Sequence, residues 1–445
     1  MPDIILISEP MKKTLLRKAG TAAALLLVAL PLQGAAAPLT LEETIRLVQE
    51  HNPSLKAAAE EVTAADARIR KSRSAYYPQI TASAGYTYLD PVSEMGFGGS
   101  EPIQFMPNDN YEAKVTAKAT LLDFGKRGKT VDIARSGRNA AAHSFDIAER
   151  DISYRTVELF YGILFLRESI RVQDKEITAL QKALDHTSKR YQAGTATRFD
   201  VLSTDVRIQA ARSKKLSLQH QLRRHELTLH RLTGLAVNSP LDLKGSFDAQ
   251  PAFADAAALS ASARQRRSES KLAAEQEQSA RANRDIAMKQ GLPVVSASAS
   301  WGIANGYQPD IDEIRENFAT GIHVELPIFT GFRTSAERQE AAALLRAAAQ
   351  RRIDAEQQIK NDVEESLHAF ETSRENILTT QSQVEQARLA AEHARARYEN
   401  GVATTLDLLD TEAALAQAEL ARLQAAYDYL MNSYALKRAT GEVFW

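Results

Sequence analysis

Arg190 to Thr204 reads RYQAGTATRFDVLST, and Arg397 to Thr411 reads RYENGVATTLDLLDT. The second stretch starts 207 positions after the first, and eight of its fifteen residues are identical. The same offset carries Leu229, Arg231, Thr233 and Gly234 onto Leu436, Arg438, Thr440 and Gly441. A long fixed period marks a structural unit built twice. In each copy a glycine, Gly194 or Gly401, is followed three residues later by Thr-x-x-Asp, at Thr197 to Asp200 and Thr404 to Asp407. Glycine suits the left-handed residue that ends a helix, and the Thr/Asp pair suits a capping box that opens the next. Each copy therefore holds a helical hairpin, with tips near 190–200 and 397–407.

The helices that feed these tips are long. Thr130 to Gln192 contains no proline and only two glycines, Gly137 and Gly162. Ile163, Ile170, Ile177, Leu184 and Tyr191 step by sevens, with Leu159, Leu166 and Leu180 at d-type positions. Val363, Phe370, Ile377, Val384, Ala391 and Tyr398 repeat the register, with Ser366, Ser373, Thr380, Ala387 and Ala394 at the d-type positions. Sustained sevens predict coiled-coil packing. At 1.5 Å per residue this helix would reach about 95 Å, far more than a compact domain needs. The return helices stop near Gly234 and Gly441. Asn238 to Pro251 is a Pro/Gly-broken linker, and short helices are expected over Leu41 to Glu50 and Ala254 to Arg264.

Four other segments alternate with period two: 78–89, 110–122, 294–304 and 317–328. Ile80, Ala82, Ala84, Tyr86 and Tyr88 share one face of the first, and Tyr111, Ala113, Val115, Ala117, Ala119 and Leu121 one face of the second. Val295, Ala297, Ala299, Trp301 and Ile303 do so in the third, and Phe318, Ile322, Val324, Leu326 and Ile328 in the fourth. Each run is long enough to supply the roughly 9–11 residues a tilted membrane strand requires. The same pattern also fits two soluble hairpins with one wet face. In lipid, four strands cannot stand alone, because an open sheet edge leaves backbone groups without partners. Two copies would give an eight-stranded barrel filled by side chains, and three would give twelve strands and a pore. The expectation is a homotrimer.

The composition excludes several classes. Lys and Arg number 55 against 56 Asp and Glu, so no basic excess invites nucleic acid. There is no cysteine, hence no disulfide, thiol nucleophile, thiolate metal site or lipid-anchored N-terminal Cys. Lys12, Lys13, Arg17 and Lys18 precede the mostly apolar Thr21–Leu32 and the small residues Gly34 to Ala37. This pattern predicts a secretory signal over residues 1–36, with Met11 a candidate start, a first repeat over 37–245 and a second over 246–445. An inner-membrane anchor is the other reading of the same segment.

The order of elements, with LTLEETIRLVQEHNPSL (Leu39 to Leu55), LLDFGKR (Leu121 to Arg127), LPIFTGFR (Leu326 to Arg333) and the two RYxxG turns, resembles the TolC-like outer-membrane efflux proteins across essentially the whole mature chain. The resemblance implies a mainly α fold with a small transmembrane β part. Long antiparallel coiled-coil hairpins would form a periplasmic α-barrel, and four strands per chain would contribute to a trimeric twelve-stranded outer-membrane β-barrel. The implied function is an exit duct, docked by a periplasmic adaptor (a membrane fusion protein) and an inner-membrane pump of RND, ABC or MFS type. Type I protein secretion is the alternative within the family. A periplasmic coiled-coil scaffold or adaptor is the alternative of another class.

No catalytic constellation is present, and no cofactor is expected. His220, His225 and His230 step by five, which scatters them around a helix. The resemblance assigns Asp407 and Asp410 to pore-constricting carboxylates. Spaced by three, they share a helix face, and threefold symmetry would gather six around one axis and raise their proton affinity. Plain capping for Asp407 and a solvated surface acid for Asp410 are the alternatives. Some family members tie a tyrosine and an arginine of the inner hairpin to an aspartate of the outer one. Tyr398 and Asp200 match the first and last, but Ala403 stands at the arginine position, with Arg198 nearby in the other hairpin. The adaptor would dock on the tips, around Arg190, Tyr191, Gly194, Thr197, Arg397, Gly401 and Thr404.

Overall fold

The computed structural model describes residues 38–96, 98–99, 103–247 and 256–445. The expected signal segment and part of the linker lie outside them. The doubling is visible in the helices. After α1 (Leu41–His51) and α2 (Pro53–Arg73) come α3 (Lys126–Gln192) and α4 (Arg198–Thr233). The second half supplies α5 (Ala256–Arg266), α6 (Ser268–Met288), α7 (Arg333–Glu399) and α8 (Thr405–Thr440). Helices α3 and α7 have 67 residues each, so each runs about 100 Å. Helices α4 and α8 have 36 each, and each stops at a left-handed glycine, Gly234 or Gly441. No helix among the described residues is long and apolar enough to cross a membrane.

The strands are β1 (Gln79–Tyr88), β4 (Asp109–Leu122), β5 (Val294–Ala304) and β6 (Arg315–Glu325). A two-stranded ribbon, β2 (Glu94–Met95) with β3 (Ile103–Gln104), lies in the first loop and has no period-two signature at that length. The fourth strand ends at Glu325, three residues short of the expected 328. Pro327 lacks the N–H that a ladder needs.

The four long strands form one antiparallel sheet in the order β1-β4-β5-β6, so the two halves meet at β4–β5. The register stacks the apolar positions across strands. Ala82 faces Val115, Val115 faces Trp301 and Trp301 faces Phe318; Ala119 faces Ala297, which faces Ile322. Ser83–Lys114, Thr116–Ser300 and Lys118–Ser298 fall on the opposite face. The apolar face is bare: Ile80 is 70 % exposed, Phe318 68 % and Ile322 71 %. Strands β1 and β6 are the outer members of the sheet, each paired on one side.

Each sheet-to-helix joint turns through left-handed residues. Phe124 (φ 55°) and Gly125 (φ 83°) lead into α3, and Gly331 (φ 62°) and Phe332 (φ 66°) lead into α7. At the first joint Asp123 accepts the amides of Gly125 and Arg127 at 3.1 and 2.7 Å. Arg127 donates to the carbonyls of Thr120 (2.8 Å) and Ala75 (3.2 Å), and its guanidinium lies 4.8 Å from the Tyr76 ring centre. One arginine thus ties the end of β4, the start of α3 and the segment before β1.

The heptad pattern holds, and in the first half the expected d-type positions Leu159, Leu166 and Leu180 are buried more consistently than the a-type row. On α3 the buried row is Leu159, Leu166, Gln173, Leu180 and Thr187, also spaced by sevens. Of the expected a-type row only Ile163 is buried; Ile170, Ile177 and Leu184 are half-buried and Tyr191 is exposed. On α7 the expected row is buried at Val363, Phe370, Val384, Ala391 and Tyr398. The largest core cluster joins Phe160, Ile163 and Val157 of α3 to Ile45 and Val48 of α1, Leu229 of α4, and Leu430 and Met431 of α8.

Gly302 sits where the two halves' strands run closest. A Cβ there would meet the carbonyl oxygen of Ala113 and lie 2.8 Å from Cα of Lys114, both backbone atoms that cannot yield. Gly302→Val should therefore break the β4–β5 register and reduce the amount of folded chain recovered in outer-membrane fractions to a small fraction of wild type.

Candidate functional site

The hairpin tips are built alike. Helix α3 closes when Thr195 N–H donates to the Arg190 carbonyl (2.8 Å), with Gly194 at φ 76°. Helix α7 closes when Val402 N–H donates to the Arg397 carbonyl (2.8 Å), with Gly401 at φ 75°. Both capping boxes form. The Asp200 carboxylate accepts from Thr197 N–H (2.8 Å) and hydroxyl (2.6 Å). Asp407 accepts from Thr404 N–H (2.9 Å) and hydroxyl (2.7 Å). Thr197, Gly194, Arg397, Gly401 and Thr404 are exposed, and Arg190 is half-buried.

These bonds depress both carboxylates. Asp200 lies below its ordinary value, chiefly through the Thr197 hydroxyl and then its amide. Asp407 is lowered chiefly by the Thr404 amide and then its hydroxyl. Within one chain the capping role for Asp407 is thus met.

Tyr398 is 4 % exposed and occupies the crevice between the two hairpins. Its hydroxyl is 2.9 Å from the Thr187 hydroxyl of α3. Thr187 already donates to the Ala183 carbonyl (2.8 Å), so Tyr398 is the donor between them. Thr405 donates to the Tyr398 hydroxyl at 3.5 Å, and the Arg190 guanidinium lies 5.0 Å from the ring centre. Tyr398 is therefore tied to the first hairpin through Thr187 and Arg190, while Asp200 is engaged with its own cap. Ala403 is buried beside Tyr398, Leu408, Leu409, Leu180 and Ile208, an apolar contact where an arginine would be desolvated.

Asp410 accepts a 2.7 Å bond from Arg207 of α4, across the two hairpins. Glu412, 6 % exposed, is held by both nitrogens of an Arg395 fork, one at 2.7 Å, which braces α7 to α8. Beside this brace lies a crevice of about 560 Å³ lined by His186, Lys182, Asp174, Tyr398 and Glu399. Thr187, Arg207 and the Arg395–Glu412 pair were not foreseen. Thr187 extends the row of sevens through Leu180, and Arg207 lies seven residues beyond Asp200 on the same helix face. Nothing in the sequence signalled Arg395–Glu412. His230 is a core residue, its Nδ1 2.7 Å from the Glu226 carbonyl and its Nε2 3.0 Å from the Ser239 carbonyl. Among the described residues no three His, Asp or Glu side chains cluster as a metal site.

Long paired hairpins joined to a bare, open-edged sheet define a helical conduit that ends in a membrane sheet. The family model described as "Outer membrane efflux protein" matches residues 44–235 and 259–442. The chain belongs to that family. It is 22 % identical over 407 residues to the outer membrane protein TolC of Vibrio cholerae serotype O1, covering 90 % of each chain. It is 24 % identical over 429 residues to the outer membrane efflux protein BepC of Brucella suis biovar 1, covering 95 % of this chain and 90 % of that one. The solved CmeC outer membrane channel of Campylobacter jejuni superposes with a TM-score of 0.80 at 16 % identity, over 90 % of this chain and 85 % of that one.

Two predictions follow from the tip geometry. Thr187→Val leaves the buried Tyr398 hydroxyl without its acceptor and should cost about 1–2 kcal/mol, more than Tyr398→Phe, after which Thr187 keeps its bond to the Ala183 carbonyl. The double variant should cost less than the sum, as a thermal-melt double-mutant cycle would show. The capping carboxylates titrate lower folded than unfolded, where Asp has a pKa of about 3.9. Their contribution is therefore full above that value and lost as pH falls through the lower folded one. Amide-exchange protection in the first turns of α4 and α8, corrected for intrinsic rates, should hold from about pH 7 to 5. It should drop below about pH 4, and Asp200→Asn with Asp407→Asn should remove the step.

Proposed function

We propose that three copies of this chain enclose one duct through the outer membrane and across the periplasm. Substrates delivered by an inner-membrane pump, docked through a periplasmic adaptor, leave through it. The single observation that carries this is the sheet: four strands whose apolar face is bare and whose two borders, β1 and β6, are each paired on one side. Hydrocarbon does not tolerate such borders, and pairing β6 of each copy with β1 of the next satisfies them all. Twelve strands result, wide enough for a passage. Residues 1–36 serve as the export signal, and 37–245 and 246–445 are the two repeats.

The internal repeat supports the same assembly. Tyr398 and Leu409 of the second hairpin are buried against the first, at 4 % and 1 % exposure. Their counterparts 207 positions earlier, Tyr191 and Leu202, are 47 % and 54 % exposed. In a ring of alternating hairpins, the first hairpin of one copy packs on the second hairpin of the next and covers these residues. Asp407 and Asp410 then lie around the closed end, where they favour cations. The exposed tip residues near Gly194 and Gly401 face the adaptor.

The purified chain in mild detergent should have three times the mass of one mature chain, that is, of the 49.0 kDa full sequence less its export signal. In a planar bilayer it should form cation-preferring channels. Asp407→Ala with Asp410→Ala should abolish that preference and the block by divalent ions. A monomer with the four-stranded sheet intact defeats the assembly, and unchanged selectivity defeats the carboxylate assignment.

A further inference from the structure

We infer that Arg207 is a selectivity-setting and bracing residue of the closed end, acting through its ion pair with Asp410. The inference rests on the duct reading above and adds a residue to it. Arg207 sits on α4 of the first hairpin and Asp410 on α8 of the second, with Nη2 to Oδ1 at 2.7 Å. Near the tips, two polar ties among the described residues join these hairpins within a chain, beside the apolar cluster around Leu180, Leu408 and Leu409. The first is the buried contact of Tyr398 with Thr187 and Arg190. The second is this pair, whose side chains are 34 % and 59 % exposed.

Two consequences follow from charge and position. Asp410 does not present a bare charge, because each Asp410 carries its own cation. Six carboxylates at positions 407 and 410 of a trimer are accompanied by three guanidinium groups, which halves the net negative charge of the constriction. The brace is also one-sided. The residues 207 positions from its members are Ala414 for Arg207 and Ser203 for Asp410. In the ring of alternating hairpins, Ala414 and Ser203 occupy the corresponding junction between copies, where no ion pair forms. At this position helix α8 is thus fastened to its own chain's α4 and makes no such pair with the next copy. Movement of the inner hairpin alone must break the pair, whereas movement of both hairpins of one chain together need not. Because the pair is solvated, salt weakens it.

The test has a channel arm and an arm independent of any channel. In bilayers, Arg207→Gln should raise both single-channel conductance and the cation-to-anion permeability ratio, by roughly two- to five-fold as suits an exposed ion pair. Asp410→Asn should raise conductance and lower the permeability ratio. The charge exchange Arg207→Asp with Asp410→Arg should bring conductance back toward wild type. An Arg207→Gln channel identical to wild type, or an exchange variant more conductive than both single variants, overturns the inference. Independently, a water-soluble carbodiimide should link the amine introduced by Arg207→Lys to Asp410 within one chain, read as a joined peptide by mass spectrometry. Adding Asp410→Asn should remove the link. Its absence in Arg207→Lys overturns the pairing whatever the channel does. If the wild-type chain conducts no ions, the duct reading fails, and the presence or absence of the link still decides the brace.

Discussion

The sheet cannot satisfy its own borders, and the rest of the structure follows from that. A four-stranded antiparallel sheet in water could cover one face with a helix and leave its edges solvated. Here the helices run away from the sheet for about 100 Å, and the apolar face stays bare. The joints enforce the separation. Left-handed Phe124–Gly125 and Gly331–Phe332 turn the chain out of the strands, and Arg127 in the first turn of α3 fixes the first joint by donating back to the carbonyls of Thr120 on β4 and Ala75 before β1. A non-glycine residue in the left-handed region costs free energy and persists only where its surroundings hold it. The Asp123–Arg127 pair and the Tyr76 stack supply that hold at the first joint.

Most of this architecture was legible in the sequence because three separate periods coincide. The offset of 207 announced the doubling, the sevens announced the long helices, and the period of two announced the strands. The register then put the apolar runs on one face, as alternation requires when strands pair without slippage, up to the irregularity after Thr120, where Leu122 and not Leu121 faces Val295. The tips were legible from chemistry: Gly194 and Gly401 take the φ that glycine favours, and both Thr/Asp boxes close. What the sequence did not reveal has physical causes. The last strand stops before Pro327, whose effect on pairing outweighs the apolar alternation through Ile328. The β2–β3 ribbon is too short to have a period. The buried row on α3 includes Gln173 and Thr187, polar residues that a search for apolar spacing passes over.

The two halves also diverge where divergence matters. Tyr191 and Tyr398 occupy equivalent places, yet one is exposed and the other buried. A single chain can make the contact between its first and second hairpins once only. In the assembly proposed above, a neighbouring copy makes the second instance of the contact. Tyr191, Phe199, Leu202 and Val206 near the tip of the first hairpin are exposed in the single chain. Exposed apolar residues scattered singly need no explanation, but a run at helical spacing beside a buried counterpart does.

The distribution of burial along the hairpins bears on which part can move. The largest cluster, around Phe160, Ile163 and Leu229, lies some 30 residues from the tip, roughly 45 Å along α3. The tip has a smaller cluster containing two alanines of the first hairpin, Ala183 and Ala211, and one of the second, Ala403. Regions with few buried apolar contacts open at lower free energy than the core of the same protein. The tip is held instead by discrete polar ties: a tyrosine hydroxyl, a stacked guanidinium and solvated or half-buried ion pairs. Such ties break one at a time and re-form without repacking a core. The tips of the hairpins are therefore secured largely by interactions that can be exchanged, while their base is secured by burial that cannot.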